Sequence, residues 1–184
     1  VNDICTLFFL FRFFRKFRPC SVLTYFVKPN IWAIIAAFFA RIPVRVSIVE
    51  GMGYSFTPSF DGSRSYRKIL SSLVILFLYS ISFRMASSVL VLNRDDKKLL
   101  EKSCFLSSQK LFLLGGIGVS LQNLKLSPPF IKPFTFTMVG RLLREKGVFE
   151  FLRAAEFVKS LYPDVVFNLL GASDSNPGSI SVDE

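Results

Sequence analysis

Short runs rich in β-branched and aromatic residues recur along this chain, and segments with a helical apolar period fall between them. The strand-like runs lie at 21–27, 44–49, 88–92, 109–114, 134–139 and 165–170. The helical segments lie at 4–17, 31–40, 65–83 and 148–160, with another opening at 93. Parallel strands need long crossover connections, which this alternation supplies, so it predicts an α/β fold with parallel sheets. Glycines follow the strands at 51, 53, 115, 116, 118, 140 and 171. Ligands of open α/β sheets sit outside the carboxyl ends of the strands, so the glycine loops are expected where a ligand binds.

Residues 119–133 have no clear period and contain Pro128, Pro129 and Pro133. They read as a linker between a first unit, 1–118, and a second, 134–184. Within the first unit, K-P-N at 28–30 reads as a turn, with Asn30 the N-cap of the following helix. The most hydrophobic run, 69–83, is 15 residues long before Arg84 and holds Ser71, Ser72, Ser80 and Ser82. A membrane-spanning helix needs about 20 apolar residues, so a buried or surface-lying helix is expected. Residues 8–18 mix phenylalanines with Arg12, Arg15 and Lys16. That mixture suits attachment to anionic lipid and equally suits an amphipathic helix packed on a sheet.

The 184 residues carry a net charge of +10, which favours phosphate-rich partners. There is no histidine, so His-based triads, His general bases and most zinc sites are excluded. Cys5, Cys20 and Cys104 are far apart and odd in number, and read as reduced thiols in a cytosolic setting. No paired-carboxylate or metal-ligand cluster stands out. The chain opens at Val1 without a signal-peptide pattern, and Ser179–Glu184 bring no closing element. Both ends read as cut from a longer protein.

Residues 134–147, F-T-F-T-M-V-G-R-L-L-R-E-K-G, form a strand, a break at Gly140, cations at Arg141 and Lys146, and a helix start after Gly147. Backbone N–H groups at a helix start and nearby cations both favour a phosphate. A guanidinium offers two-pronged contact with phosphate oxygens, and an ammonium a compact point charge. A solvated loop bearing two cations accounts for the same spacing. Glu50, Gly51, Gly53 and Tyr54 lie in a second loop after a strand. It is not a complete dinucleotide fingerprint, because Phe56 stands where the third glycine belongs. The third loop, G-G-I-G at 115–118, reads as a hinge or as a loop reaching a ligand.

Four passages together resemble a known family. They are V-L-T-Y-F-V-K-P-N-I at 22–31, A-R-I-P-V-R-V-S-I-V-E-G-M-G-Y-S-F-T at 40–57, V-L-V-L-N-R-D-D at 89–96, and M-V-G-R-L-L-R-E-K-G-V-F-E-F-L-R-A-A at 138–155. The last is followed by Y-P-D-V-V-F-N-L-L-G at 162–171. The chain resembles a family-four glycosyltransferase with the GT-B fold, of the branch that assembles capsule, lipopolysaccharide or lipid-linked oligosaccharide. The resemblance implies two Rossmann-like parallel-sheet units facing a cleft, both incomplete here, with an acceptor-side unit first and a donor-binding unit second.

It also implies a nucleotide-diphosphate-sugar donor, a polyprenyl-diphosphate-linked acceptor, no cofactor, no metal and retention at the anomeric carbon. By match to G-R-L-x-x-x-K-G, Arg141 and Lys146 are the implied catalytic residues. Gly140, Arg141, Lys146, Gly116 and Gly118 are the implied donor-binding positions, and Glu50, Gly51, Gly53 and Tyr54 the acceptor-side loop. The family's usual P-G-S-G-V-D-L reads G-G-I-G-V-S-L here, with Ile117 and Ser120 as departures, and Glu50 replaces a threonine. The implied location is cytoplasmic, peripheral on an anionic inner membrane face, without nucleic acid as a partner. Two other readings are a non-catalytic basic module for acidic ligands or membrane surfaces, and a small integral membrane protein built on 69–83.

Overall fold

In the computed structural model, which describes residues 3–53, 56, 66–104, 106–107, 109–123, 133–172 and 178–180, the α/β alternation is realised. The chain divides into two units, the first holding the described residues through Val119 and the second those from Ser120 onward. Both contain parallel sheets, the Rossmann-like arrangement expected of a GT-B-like chain.

The first unit is a four-stranded sheet in the order β1 (Ser21–Tyr25), β2 (Val44–Val49), β3 (Ser88–Val91), β4 (Leu111–Leu113). All three pairings are parallel. Helix α1 (Asp3–Phe17) precedes β1, and α2 (Val27–Phe39), α3 (Tyr66–Met85) and α4 (Arg94–Cys104) make the crossovers. The register puts Thr24, Ser47, Val89 and Leu111 on one face, and all four are buried. Ile34 of α2, Tyr79 and Phe83 of α3 and Leu100 of α4 share one core with Val89 and Leu111 of that face. Each such side chain contributes about 1.5–3 kcal/mol when fully buried. The opposite face carries Leu23, Tyr25, Val44 and Phe112, all exposed. A smaller cluster joins α1 to α2, where Ala33, Ala36 and Ala37 leave room for Phe14.

The second unit pairs β5 (Thr135–Val139) with β6 (Val166–Leu170) in parallel, joined by α5 (Val148–Leu161). Val148 and Ala155 are the buried positions of α5. Phe167 stacks on Phe136 and meets Phe151 edge-on, which fastens the helix to the strands.

One local expectation is corrected. Asn30 is not an N-cap: α2 begins at Val27, and Lys28, Pro29 and Asn30 form its first turn. Proline is tolerated there because the first-turn N–H groups have no intrahelical partner anyway. The cap position is Phe26, at φ 66°, which also ends β1 two residues early. The run at 69–83 belongs to a helix of 20 residues, and α3 is long and apolar enough to cross a membrane by length and composition. Its serines do not interrupt it, because Ser71, Ser72, Ser80 and Ser82 each donate to the carbonyl three residues back. One side of α3 is committed to protein: Tyr79, Ser82 and Phe83 are almost fully enclosed. Further along, Ser179 forms an isolated antiparallel bridge with Leu143.

Candidate functional site

The loop from β5 to α5 is shaped by its backbone. Gly140 N–H donates to Leu170 O at 3.0 Å, and Leu142 N–H to Ala172 O at 3.1 Å, so the exits of β5 and β6 are tied together. A side chain on Gly171 would collide with the Gly140 carbonyl oxygen. The residues just beyond also hold the loop: Arg144 N–H donates to Gly178 O at 2.9 Å and Ile180 N–H to Leu142 O at 2.9 Å. Leu143 and Ile180 are buried beneath it with Val148.

A 3-10 turn at Arg144–Lys146 follows, and Gly147, at φ 82°, reverses the chain into α5. That left-handed conformation is what glycine provides without a Cβ penalty. The loop therefore has a buried apolar underside and an exposed outer side that carries Arg141 and Lys146. Arg144 lies over the Phe149 ring at 5.0 Å. Glu150, in the first turn of α5, already complements the helix dipole.

The remaining site residues lie in the first unit. Glu50, Gly51 and Gly53 leave the carboxyl end of β2, and Gly116 and Gly118 lie beyond the carboxyl end of β4. Tyr54 falls outside the described residues. Gly51, Gly53 and Gly118 have positive φ, and a Cβ on any of these loop glycines would meet nothing within 4 Å. They thus keep backbone open to solvent at the carboxyl edge of the sheet. Among the described residues no group of three or more His, Cys, Asp or Glu is placed to hold a metal ion.

A buried polar network beneath the Glu50 loop was not legible in the sequence. Thr24 Oγ1 donates to Asn30 Oδ1 at 2.6 Å and lies 3.2 Å from Ser47 Oγ. Asn30 Nδ2 donates to Ile48 O at 2.8 Å, and the Asn30 side chain is hydrogen-bonded to the Tyr79 hydroxyl. Asn30 and Ser47 are fully enclosed. The network joins the carboxyl ends of β1 and β2 to α2 and α3. Burial pushes the Tyr79 hydroxyl up to about 12, against a smaller lowering by the Asn30 bond. Burial likewise pushes the Cys104 thiol up to about 11. The only clue in the sequence was polar residues at 24, 30 and 47 inside otherwise apolar segments.

No protein-family model matches the chain. Individual proteins do. Over 172 residues the chain is 28% identical to the N,N'-diacetylbacillosaminyl-diphospho-undecaprenol alpha-1,3-N-acetylgalactosaminyltransferase of Campylobacter jejuni, which covers 85% of this chain and 43% of that protein. It is 27% identical over 186 residues to the UDP-Gal:alpha-D-GlcNAc-diphosphoundecaprenol alpha-1,3-galactosyltransferase of Escherichia coli, covering 93% of this chain and 45% of the relative. The chain is a relative of GT-B-type glycosyltransferases. A capsular polysaccharide biosynthesis glycosyltransferase of Staphylococcus aureus, CapM, is 23% identical over 195 residues, covering 100% of this chain and 48% of its own length. The chain thus spans a little under half the length of these curated relatives.

Proposed function

We propose that the protein containing this chain is a glycosyltransferase of cell-surface polysaccharide synthesis. It transfers a hexose or N-acetylhexosamine from a nucleotide-diphosphate sugar to a polyprenyl-diphosphate-linked saccharide. The observation that carries this reading is the similarity, over 85–93% of the chain, to two glycosyltransferases whose names specify diphospho-undecaprenol acceptors. The first unit is the acceptor-side domain, 119–133 the linker, and the second unit the opening of the donor-binding domain. The protein works on the cytoplasmic side, peripheral to an anionic membrane face.

In this reading Gly140 lets the donor approach the backbone, and Arg141 and Lys146 stabilise the departing diphosphate as its charge develops. Cations held on a fixed loop need no reorganisation at that moment, which is the source of their effect. The sugar leaves with retention and without a metal ion. Gly116 and Gly118 border the donor, and Glu50, Gly51, Gly53 and Tyr54 line the acceptor side. Arg141→Ala and Lys146→Ala in the complete protein are each expected to lower turnover on the order of 100-fold, the scale for removing one transition-state charge partner. Radiolabelled sugar transfer to a polyprenyl-diphosphate acceptor measures it, and undiminished transfer by both variants refutes the assignment.

A further inference from the structure

The row of sheet residues that faces the crossover helices is polar at one end and apolar at the other. Thr24, Ser47, Val89 and Leu111 are register partners from β1 to β4, and all are buried. Val89 and Leu111 belong to the apolar core. The polar pair lies in β1 and β2, close to where β2 gives way to the Glu50 loop. With Asn30 and Tyr79 the pair makes a bonded network, and among the described residues no buried side-chain nitrogen or oxygen lacks a partner. Apolar groups of the same shape in place of both partners of a buried bond are nearly neutral for stability, so stability alone does not call for the network. What a fully bonded buried network adds is one fixed geometry.

Asn30 reaches this network through a strained turn. Phe26, between β1 and α2, has φ 66°, in the left-handed region that crowds any residue with a Cβ. Its ring is exposed, so packing of the side chain does not account for the conformation. Asn30 N–H donates to Phe26 O at 3.0 Å. The turn sets the first turn of α2 against the end of β1, where Asn30 Oδ1 accepts from Thr24 Oγ1 at 2.6 Å. Strain kept beside a bonded network points from conformation to function.

The backbone that leaves β2 is gripped on both sides of Glu50. Before it, Asn30 Nδ2 donates to Ile48 O at 2.8 Å. After it, Met52 is buried in the same core as Tyr79. Between these anchors Glu50 and Gly51 are exposed, and Gly53 follows at φ 81°. Among the described residues Glu50 forms no ion pair. Its carboxylate is therefore presented to solvent from a backbone held at both ends. A carboxylate accepts hydrogen bonds through both oxygens, which suits the neighbouring hydroxyls of a saccharide.

We propose that Thr24, Asn30, Ser47 and Tyr79 are positioning residues that hold Glu50 and Gly51 in the geometry that binds the saccharide of the acceptor. None of the four meets the acceptor, and each acts through the Ile48 carbonyl and the loop that follows it. This rests on the acceptor-side role given to that loop in the reading above. The gain is pre-organisation: a loop already ordered loses less freedom when its ligand binds, so acceptor affinity depends on the bonds beneath it. The loop after β5 is held by a separate set of backbone bonds, so the donor is indifferent to the network.

The test compares Thr24→Val/Tyr79→Phe with Thr24→Ser. The double variant removes the two hydroxyls that fix the Asn30 amide and exchanges each side chain for one of nearly the same shape, so the fold is kept. Thr24→Ser retains the hydroxyl. Sugar transfer by the complete protein is measured with undecaprenyl-diphosphate-linked N-acetylglucosamine as the acceptor probe and UDP-hexoses or UDP-N-acetylhexosamines as donors. The double variant is expected to raise the acceptor KM about tenfold with the donor KM unchanged, and Thr24→Ser to match the parent. In the 184-residue chain, backbone amide relaxation by NMR is expected to show order parameters at Gly51 and Gly53 falling from about 0.85 to below about 0.6 in the double variant, while Val89 and Leu111 keep theirs. A merely structural role lowers kcat with both KM values unchanged, and that result overturns the proposal. Unaltered order at Gly51 and Gly53 overturns it as well. The relaxation measurement needs no sugar transfer, so a complete protein that transfers nothing refutes the transferase reading while the order of the loop still decides whether the network holds it.

Discussion

Asn30→Ala tests whether the buried network holds the first unit together. Asn30 is fully enclosed, donates to Ile48 O at 2.8 Å and is bonded to the Tyr79 hydroxyl. Thr24 loses its 2.6 Å acceptor but keeps Val46 O and Ser47 Oγ within 3.3 Å. Truncation thus strands two buried polar groups, the Ile48 carbonyl and the Tyr79 hydroxyl, at about 1–3 kcal/mol each. We expect a loss of about 3 kcal/mol. Tyr79→Phe removes a hydroxyl but leaves Asn30 two partners, and should cost about 1 kcal/mol. Because the two variants delete one shared bond, the double variant should fall short of additivity by about 1 kcal/mol. Urea unfolding followed by the fluorescence of Trp32 suits the measurement, since Trp32 is the sole tryptophan and packs against this core. An Asn30→Ala variant within about 1 kcal/mol of the parent refutes the reasoning, and so does a cycle that is additive.

Alkaline pH should also weaken the first unit. Tyr79 and Cys104 have folded pKa values raised to about 12 and about 11, from 10.0 and 9.0, so their neutral forms stabilise the fold below pH 9. Stability is then lost as pH rises through about 9 to 12, which urea midpoints at stepped pH will show, with Tyr79→Phe and Cys104→Ala flattening the decline. Gly171→Ala should destabilise the second unit strongly, because its Cβ meets the Gly140 backbone, whereas Gly116→Ala meets nothing within 4 Å and should unfold like the parent. Gly147→Ala should cost about 1 kcal/mol through its left-handed φ of 82°. Thermal melts by circular dichroism compare all three.

The alternation of strands and helices was legible because both periods are written in the order of apolar residues. Strand β2 matched its predicted bounds, and α1 and α5 came within a residue, since their patterns are clean. Errors fell where a local signal had two meanings. K-P-N looks like a turn to a reader of propensities, yet a proline in a first turn costs no hydrogen bond, so the same residues open α2. Asn30 then became a buried bridge because Thr24 and the Ile48 carbonyl lay within reach, a fact of packing that no spacing reveals. Four serines in α3 suggested polarity, but each hydroxyl is satisfied by the helix itself. Of the candidate site, the positions of Gly140, Arg141 and Lys146 on one strand-to-helix loop were readable, as were the glycine loops at the ends of β2 and β4.

By itself the sequence determined the fold class, the parallel connectivity and the kinship with glycosyltransferases, because these follow from periodicity and from residue strings that need no third dimension. Tertiary structure alone decided that the loop after β5 is pinned by Leu170, Ala172, Gly178 and Ile180, far along the chain. It alone decided that Arg15, Arg18, Arg41 and Arg84 come to the strand-start edge of the first unit, and Glu50, Asp95 and Asp96 to the strand-end edge. Parallel strands bring every strand start to one side and every strand end to the other, so residues scattered along the chain come to share an edge only once the sheet has formed.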